Sequence, residues 1–161
     1  MKYNVLLDTS FFIRLLNDEE KLHENAKGYY KYFLENEIAL KVSTITIAEY
    51  CVRGKLSDLP LRNIQIVPFN LNEAQRTGEF AEIIFRENKM AKEKLLPRPI
   101  IPNDSKLFAQ ADLDKNTLYF VTSDSRSKKT LNALKKGLQP NFQIIDISVP
   151  YSTQFGVIDF D

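Results

Sequence analysis

The stretch Tyr3-Asn4-Val5-Leu6-Leu7-Asp8-Thr9-Ser10-Phe11-Phe12 decides the fold. Val5, Leu6 and Leu7 form a short apolar run that suits a strand buried on both faces, as in a parallel sheet. Asp8 ends the run. Thr9 and Ser10 follow, and either hydroxyl can cap a helix opening at Phe11. An open α/β sheet carries its active site just beyond the carboxyl ends of its strands, so Asp8 stands where a catalytic carboxylate belongs. The plainer reading is that Asp8 only favours the helix N-terminus, as acidic residues do. The stretch alone leaves both open.

The chain has 161 residues, the size of one domain with a core of its own. With 27% charged and 43% hydrophobic residues it has a soluble globular composition. Cys51 is the only cysteine, which rules out an intramolecular disulfide and fits a reducing compartment. No apolar run is long enough to span a bilayer, and Asp8 interrupts the first one too early for a signal peptide. A cytoplasmic protein without membrane contact is expected. His23 is the only histidine, which excludes a multi-histidine zinc site, and a histidine triad is not the reading either.

Net charge is +1, but the charge is unevenly spread. Residues 86–136 carry 12 Lys and Arg against 6 Asp and Glu, while the segments on either side are net acidic. Such an excess suits phosphate contact or a solvated lysine-rich face.

From the first strand onward, strands alternate with helices. Leu22, Ala26, Tyr29, Tyr30, Phe33 and Leu34 recur at helical spacing, and Tyr29, Tyr30 and Phe33 read as core or interface rather than a base-stacking platform. Ile38–Val42 is the second strand. A helix capped by Ser43, Thr44 or Thr46 follows, carries Glu49 and stops at Gly54. Ile64–Phe69 is the third strand. A helix from Asn70 or Asn72 to about Asn88 comes next, with Ala74, Ala81, Ile84 and Phe85 facing inward. Residues 89–103 carry Lys89, Lys92, Lys94 and Arg98 among three prolines and read as a basic loop. Asn103-Asp104-Ser105 opens a helix, Leu118–Thr122 is the fourth strand, and Asp124-Ser125 leads into a helix through Leu138. Phe142–Ile147 is the fifth. The whole is an α/β fold, a mainly parallel five-stranded sheet with helices on both faces. A domain over 1–148 with a tail over 149–161 is expected.

Four carboxylates now stand out: Asp8 after the first strand, Glu49 on the helix after the second, Asp104 opening the helix before the fourth, and Asp124 after the fourth. Separations of 41, 55 and 20 residues allow only a tertiary assembly. Two like charges 4 Å apart repel by about 4 kcal/mol at an effective dielectric of 20. No lysine or arginine stands beside them in an obvious pairing role, so a hard divalent cation is the natural compensation. Oxygen-only ligands suit Mg²⁺ or Mn²⁺.

These residues carry a family resemblance. Val5-Leu6-Leu7-Asp8-Thr9-Ser10-Phe11-Phe12, Thr44-Ile45-Thr46-Ile47-Ala48-Glu49-Tyr50, Asn103-Asp104-Ser105-Lys106-Leu107-Phe108-Ala109 and Phe120-Val121-Thr122-Ser123-Asp124 together resemble the four acidic motifs of PIN-domain proteins. The closest likeness is to the VapC-type toxin ribonucleases of bacterial toxin–antitoxin pairs. The resemblance runs over about residues 3–148. It implies a five-stranded parallel sheet with the first strand central, and one or two Mg²⁺ or Mn²⁺ ions held by Asp8, Glu49, Asp104 and Asp124. It further implies help from Thr9, Ser10 and Thr122, and metal-dependent endoribonuclease activity. In place of the further acidic residue that many relatives carry after the fourth motif stands Ser125-Arg126-Ser127. The basic residues Lys92, Lys94, Arg98, Lys128 and Lys129 are expected to hold the RNA backbone. A cognate antitoxin and a second copy of the chain, as a homodimer, are the expected protein partners. Two other functions compete: a non-catalytic PIN module binding RNA or a protein, and a phosphotransfer protein using Asp8 as acceptor.

Overall fold

A computed structural model describes residues 2–87 and 101–158. Five parallel strands form one sheet in the order β3-β2-β1-β4-β5, with β1 (Asn4–Leu7) central, as the resemblance implied. Its neighbours are β2 (Ala39–Ser43) and β4 (Thr117–Thr122); β3 (Ile64–Val67) and β5 (Gln143–Asp146) are the edges. Among the described residues seven α-helices are seen: α1 (Thr9–Leu16), α2 (His23–Glu35), α3 (Thr44–Tyr50), α4 (Leu71–Glu87), α5 (Asn103–Leu113), α6 (Ser125–Lys135) and α7 (Tyr151–Phe155). None of the helices described is long and apolar enough to cross a membrane.

The central strand shows why an unbroken apolar run was needed. Side chains alternate across a strand, and β1 has a core on each side. Val5 and Leu7 join Phe11, Phe12, Tyr29, Phe33 and Val42 on one face. Leu6 joins Phe80, Ile84, Leu107, Phe108, Phe120 and Leu134 on the other. Both layers of helices are therefore pinned by three consecutive residues.

The chain runs outward from β1 to β2 and β3, then returns to the other side of β1 for β4 and β5. Strand order reverses between β1 and β4, and ligand crevices of open α/β sheets open there, beyond the carboxyl ends of the strands. The register pairs Leu7 with Val121, and the Asp8 N–H donates to the Val121 carbonyl at 3.0 Å. Asp8 thus leaves β1 just where β4 is about to end.

Several boundaries differ from the sequence reading. β3 stops at Val67 because Pro68 has no N–H to donate. On α4 it is Thr77 and Phe80, with Ala81 and Ile84, that are buried, while Ala74 is exposed. The Thr77 hydroxyl is satisfied by donating to the Glu73 carbonyl at 2.7 Å, so a polar residue is tolerated inside. Asn70 is the cap of that helix: its Oδ1 accepts from the Glu73 N–H, and the Glu73 carboxylate accepts from the Asn70 N–H. α3 ends at Tyr50, ahead of Gly54. Gly54 is required by the Tyr50 ring, which a Cβ at residue 54 would meet at 2.3 Å. Past β5, α7 packs on α2, with Phe155 stacked on Tyr32 at a ring separation of 4.5 Å and the Tyr29 hydroxyl donating to the Val149 carbonyl.

Candidate active site

Asp8 is 7% exposed, at the end of the central strand. It occupies the N-cap position of α1, but its side chain makes no cap hydrogen bond. Instead the Ser10 and Thr122 hydroxyls both donate to Asp8 Oδ2 at 2.8 Å. Each hydroxyl accepts a backbone N–H in turn, Ser10 from Ser123 at 2.9 Å and Thr122 from Asp124 at 3.0 Å. Those two N–H groups occupy hydroxyl lone pairs and turn the protons toward Asp8. Helix α1 and the end of β4 are thereby locked around one carboxylate.

The other three carboxylates arrive from separate elements. Glu49, on α3, is half-buried, and its Oε1 accepts from the Thr9 hydroxyl at 3.2 Å. Local sequence sets this up: Ser43 caps α3 by accepting from the Ile45 N–H at 3.0 Å, which fixes the helix phase that puts Glu49 over α1. Asp104 sits in the first turn of α5, where its Oδ2 accepts from the Ser127 hydroxyl at 3.2 Å. Asp124 caps α6 by accepting from the Arg126 N–H at 2.9 Å. All four line one cleft of about 450 Å³.

Electrostatics confirm the convergence. Burial raises the pKa of Asp8, against the lowering effect of Ser10, Thr122 and the Thr9 backbone, and the Asp124 charge raises it further. Burial also raises Glu49, with Asp8 adding and Asn103, Thr9 and Lys106 opposing. Asp104 is pushed up to about 6 by burial and by the charges of Asp8, Asp124 and Glu49, partly offset by Ser127.

Among the described residues no three His, Cys, Asp or Glu side chains close around a common point as a preformed metal cage. A hard cation such as Mg²⁺ does not need one. It keeps several waters and takes one or two carboxylates together with substrate phosphates. The donor set fits it: the acidic groups are all oxygen donors, and each is steadied by a hydroxyl or a backbone N–H.

Thr9, Ser10 and Thr122 are all at the cleft. Lys92, Lys94 and Arg98 lie outside the described residues. Lys128 pairs with Asp146 and lines a different depression with Leu131, Lys135 and Gln143; Lys129 is exposed on the same turn of α6. The expectation that no cation stands beside the carboxylates is corrected. Arg14 and Arg126 both line the cleft, and Arg126 Nε approaches Asp124 Oδ1 at 3.5 Å. Arg126 was legible at two residues from Asp124, while Arg14 comes close only because α1 turns its inner side toward Ser123. Beside this cleft a second, largely apolar depression of about 610 Å³ is lined by Ile13, Leu16, Tyr50 and Val52, and shares Thr9 and Glu49 with it.

No protein-family profile and no curated protein matches the chain. Solved structures do. A VapBC2 structure from Rickettsia felis, bound to a DNA fragment from its promoter, matches with a TM-score of 0.54 and 21% identity over 88% of this chain and 97% of that one. A DNA-bound VapBC structure from Salmonella typhimurium gives 0.54 and 18% over 90% and 98%. Mycobacterium tuberculosis VapC20, a toxin that cleaves the sarcin-ricin loop, gives 0.50 and 14% over 78% and 94%. At such identities the likeness establishes the fold, which is that of the VapC structures.

Proposed function

We propose that this chain is a PIN-domain endoribonuclease of the VapC type, hydrolysing RNA phosphodiester bonds with Mg²⁺ or Mn²⁺, and the toxin of a toxin–antitoxin pair. The observation that carries the reading is the convergence of Asp8, Glu49, Asp104 and Asp124 from four elements onto one cleft at the strand-order reversal, with three of them held above their ordinary pKa. Strained acidity of this kind marks functional sites. The shared fold with a toxin that cleaves RNA supports it.

Asp8, Glu49, Asp104 and Asp124 would hold the cation. Bound there, a divalent ion supplies activation of water and offsets the charge that builds on the phosphoryl oxygens. The chain's own residues supply orientation. Ser10 and Thr122 fix the Asp8 carboxylate, Thr9 fixes Glu49, Ser127 fixes Asp104, and the Arg126 N–H fixes Asp124. Thr9, Ser10 and Thr122 therefore act on the substrate through the ligands they hold. Lys128, Lys129 and the basic residues Lys92, Lys94 and Arg98 would hold the RNA backbone beyond the scissile bond, Lys128 on leaving its pair with Asp146. The apolar depression beside Glu49, with Ile13 45% and Val52 78% exposed, is the surface an antitoxin would cover. A homodimer and a cytoplasmic location complete the proposal.

The lone histidine is engaged, with Nδ1 2.9 Å from the Arg14 carbonyl, so no pair of imidazoles is at hand to drive attack by the RNA 2′-hydroxyl. Attack by water leaves a 5′-phosphate and a 3′-hydroxyl. The test is incubation with single-stranded RNA in Mn²⁺ or EDTA, followed by end-group analysis. Cleavage in Mn²⁺ alone, with 5′-phosphate ends and loss of cutting but not of binding in Asp8→Asn, is expected. RNA bound but uncut in Mn²⁺ would leave a non-catalytic binding module.

A further inference from the structure

The cleft is acidic and its proposed substrate is a polyanion. One divalent cation leaves four ionised carboxylates net negative, and two only balance them. A phosphate entering the cleft therefore needs cationic partners from the chain itself. Among the described residues two cationic side chains line the cleft, Arg14 and Arg126, on the side formed by Ser123, Asp124 and Ser125.

Their surroundings differ in a useful way. Arg14 is half-buried and held at two points: it is ion-paired with Glu20, and its Nε donates to Ser123 Oγ at 3.4 Å. Its backbone carbonyl is tied to His23. Arg126 has a side chain 86% exposed, and among the described residues its one ion-pair contact is the 3.5 Å approach to Asp124. That contact is at the limit of a hydrogen bond, and exposed pairs of this kind contribute little. Arg126 also lines the adjoining depression with Pro102, Asn103 and Thr130, so it stands on the ridge between two openings of the same site. Lys128, two residues on, is committed to Asp146 and faces elsewhere.

We infer that Arg14 and Arg126 form a two-arginine clamp for the RNA phosphate next to the scissile bond, Arg14 as its fixed half and Arg126 as the half transferred from Asp124 to the phosphate. The inference rests on the nuclease reading above and deepens it. A guanidinium presents a planar fork that matches two phosphate oxygens, which an ammonium does not. Transfer of Arg126 away from Asp124 has a second effect. It takes the guanidinium charge away from Asp124 Oδ1, which keeps its bond from the Arg126 N–H, so Arg126 opposes the cation before RNA arrives and ceases to oppose it afterwards.

That double role gives a signature that a merely structural arginine lacks. In Arg126→Ala, binding of a labelled single-stranded RNA in EDTA should lose about 0.7 of its salt slope, the share of one phosphate contact. KM for Mn²⁺-dependent cleavage should rise about tenfold, as expected for a charge-assisted contact. Mn²⁺ affinity by calorimetry should rise, opposite in sign to the RNA effect. Arg126→Lys should restore the salt slope while leaving KM raised. Because Arg14→Ala would strand Glu20, Arg14→Lys is the companion variant, with an expected rise in KM and an unchanged unfolding midpoint. Lys115→Ala, exposed at the far end of the sheet, removes the same charge and should leave RNA binding and cleavage as in the wild type.

Wild-type salt slope and KM in Arg126→Ala overturn the clamp and leave the nuclease reading standing. Parallel loss of RNA and Mn²⁺ binding in that variant, at an unchanged unfolding midpoint, also overturns it, since the clamp requires the two affinities to move in opposite directions. A wild type that binds RNA without cutting it overturns the nuclease reading alone, and the salt slope still decides the clamp.

Discussion

The amino end of the sheet and the cleft at the strand-order reversal treat their acidic residues in opposite ways. At the amino end, Asp114 accepts from Lys41 at 2.5 Å, from Asn4 at 3.1 Å, from Thr117 at 3.0 Å and from the Asn116 N–H at 3.0 Å. Burial raises its pKa, but Lys41, the Asn116 N–H, Asn4 and Thr117 outweigh burial and hold it below the usual carboxylate range. Asp112, on the last turn of α5, is likewise met by Arg76 at 2.9–3.0 Å and by the Asn141 N–H at 2.8 Å. At the carboxyl end, Asp8, Glu49 and Asp104 are all raised. The amino end uses carboxylates to fasten α5, β1, β2 and β4 together. At the carboxyl end Asp146 is fastened in the same way by Lys128, whereas the cleft leaves Asp8, Glu49 and Asp104 short of counter-charge, which is the condition for taking a cation. Residue type alone does not distinguish a fastening aspartate from a functional one; the partners do.

Breaking each end separately sharpens the contrast. The largest effect is on activity: Asp104→Asn should lower RNA cleavage by on the order of 100-fold or more, while the apo protein unfolds at equal or higher urea than the wild type, because a mutually repelled charge is gone. Loss of both activity and stability would mean that Asp104 fastens rather than functions. At the other end, Asp114→Ala should cost about 3 kcal/mol in urea unfolding with kcat nearly unchanged, since Lys41, Asn4 and Thr117 lose their common acceptor. A cost below about 0.5 kcal/mol, the range of an ordinary surface change, would dissolve the distinction.

Cation binding should raise stability through the carboxyl end alone. Mn²⁺ at 100 times its Kd should add about 2.7 kcal/mol to the wild type. The gain should vanish in Asp8→Ala and persist in Asp114→Ala, as thermal melts would record. A smaller effect is pH dependence. The folded-state pKa of Asp104 is raised to about 6, so the folded state holds its proton more tightly than the unfolded chain does. Its contribution is present below the ordinary aspartate value near 3.8 and is lost as pH rises through about 6. Asp114 has the opposite sign: its contribution is present above that ordinary value and fades as pH falls through its lowered folded-state pKa. In metal-free buffer, Asp104→Asn should flatten the loss of stability between about pH 4 and pH 7, and Asp114→Asn the loss at lower pH.

Much of this was readable in the residues. Val5, Leu6 and Leu7 announced a strand with a core on both sides, and β1 is that strand. Alternating strands and helices announced a parallel sheet, and the position of Asp8 after the run announced an edge. Asp8, Asp104 and Asp124 were legible because each follows or opens an element, and Glu49 as a charge among the apolar residues of a helix. What escaped was what tertiary packing decides. Arg14 sits six residues after Asp8 with no pattern to mark it, and at the cleft it meets Ser123, just past the carboxyl end of β4. Asp8 looked like a helix cap and holds that position, yet two hydroxyls claim its side chain, one of them 114 residues away. Tyr29 read as core, and is; its neighbours Tyr151 and Phe155 lie over 100 residues on and gave no local sign of packing there.

The pairing of β1 with β4 also fixes when during synthesis the cleft comes into being. Asp8 and its partner hydroxyl on Thr122 are separated by nearly the whole core of the chain. At about 5–20 residues per second, on the order of 10 seconds of translation pass between them. Through that interval the nascent chain can pair β1 with β2 and β2 with β3, but it has no Thr122, no Asp124 and no second wall for the cleft. As the nuclease proposed above, the chain would be born inactive and be completed only when β4 and the start of α6 have emerged from the ribosome.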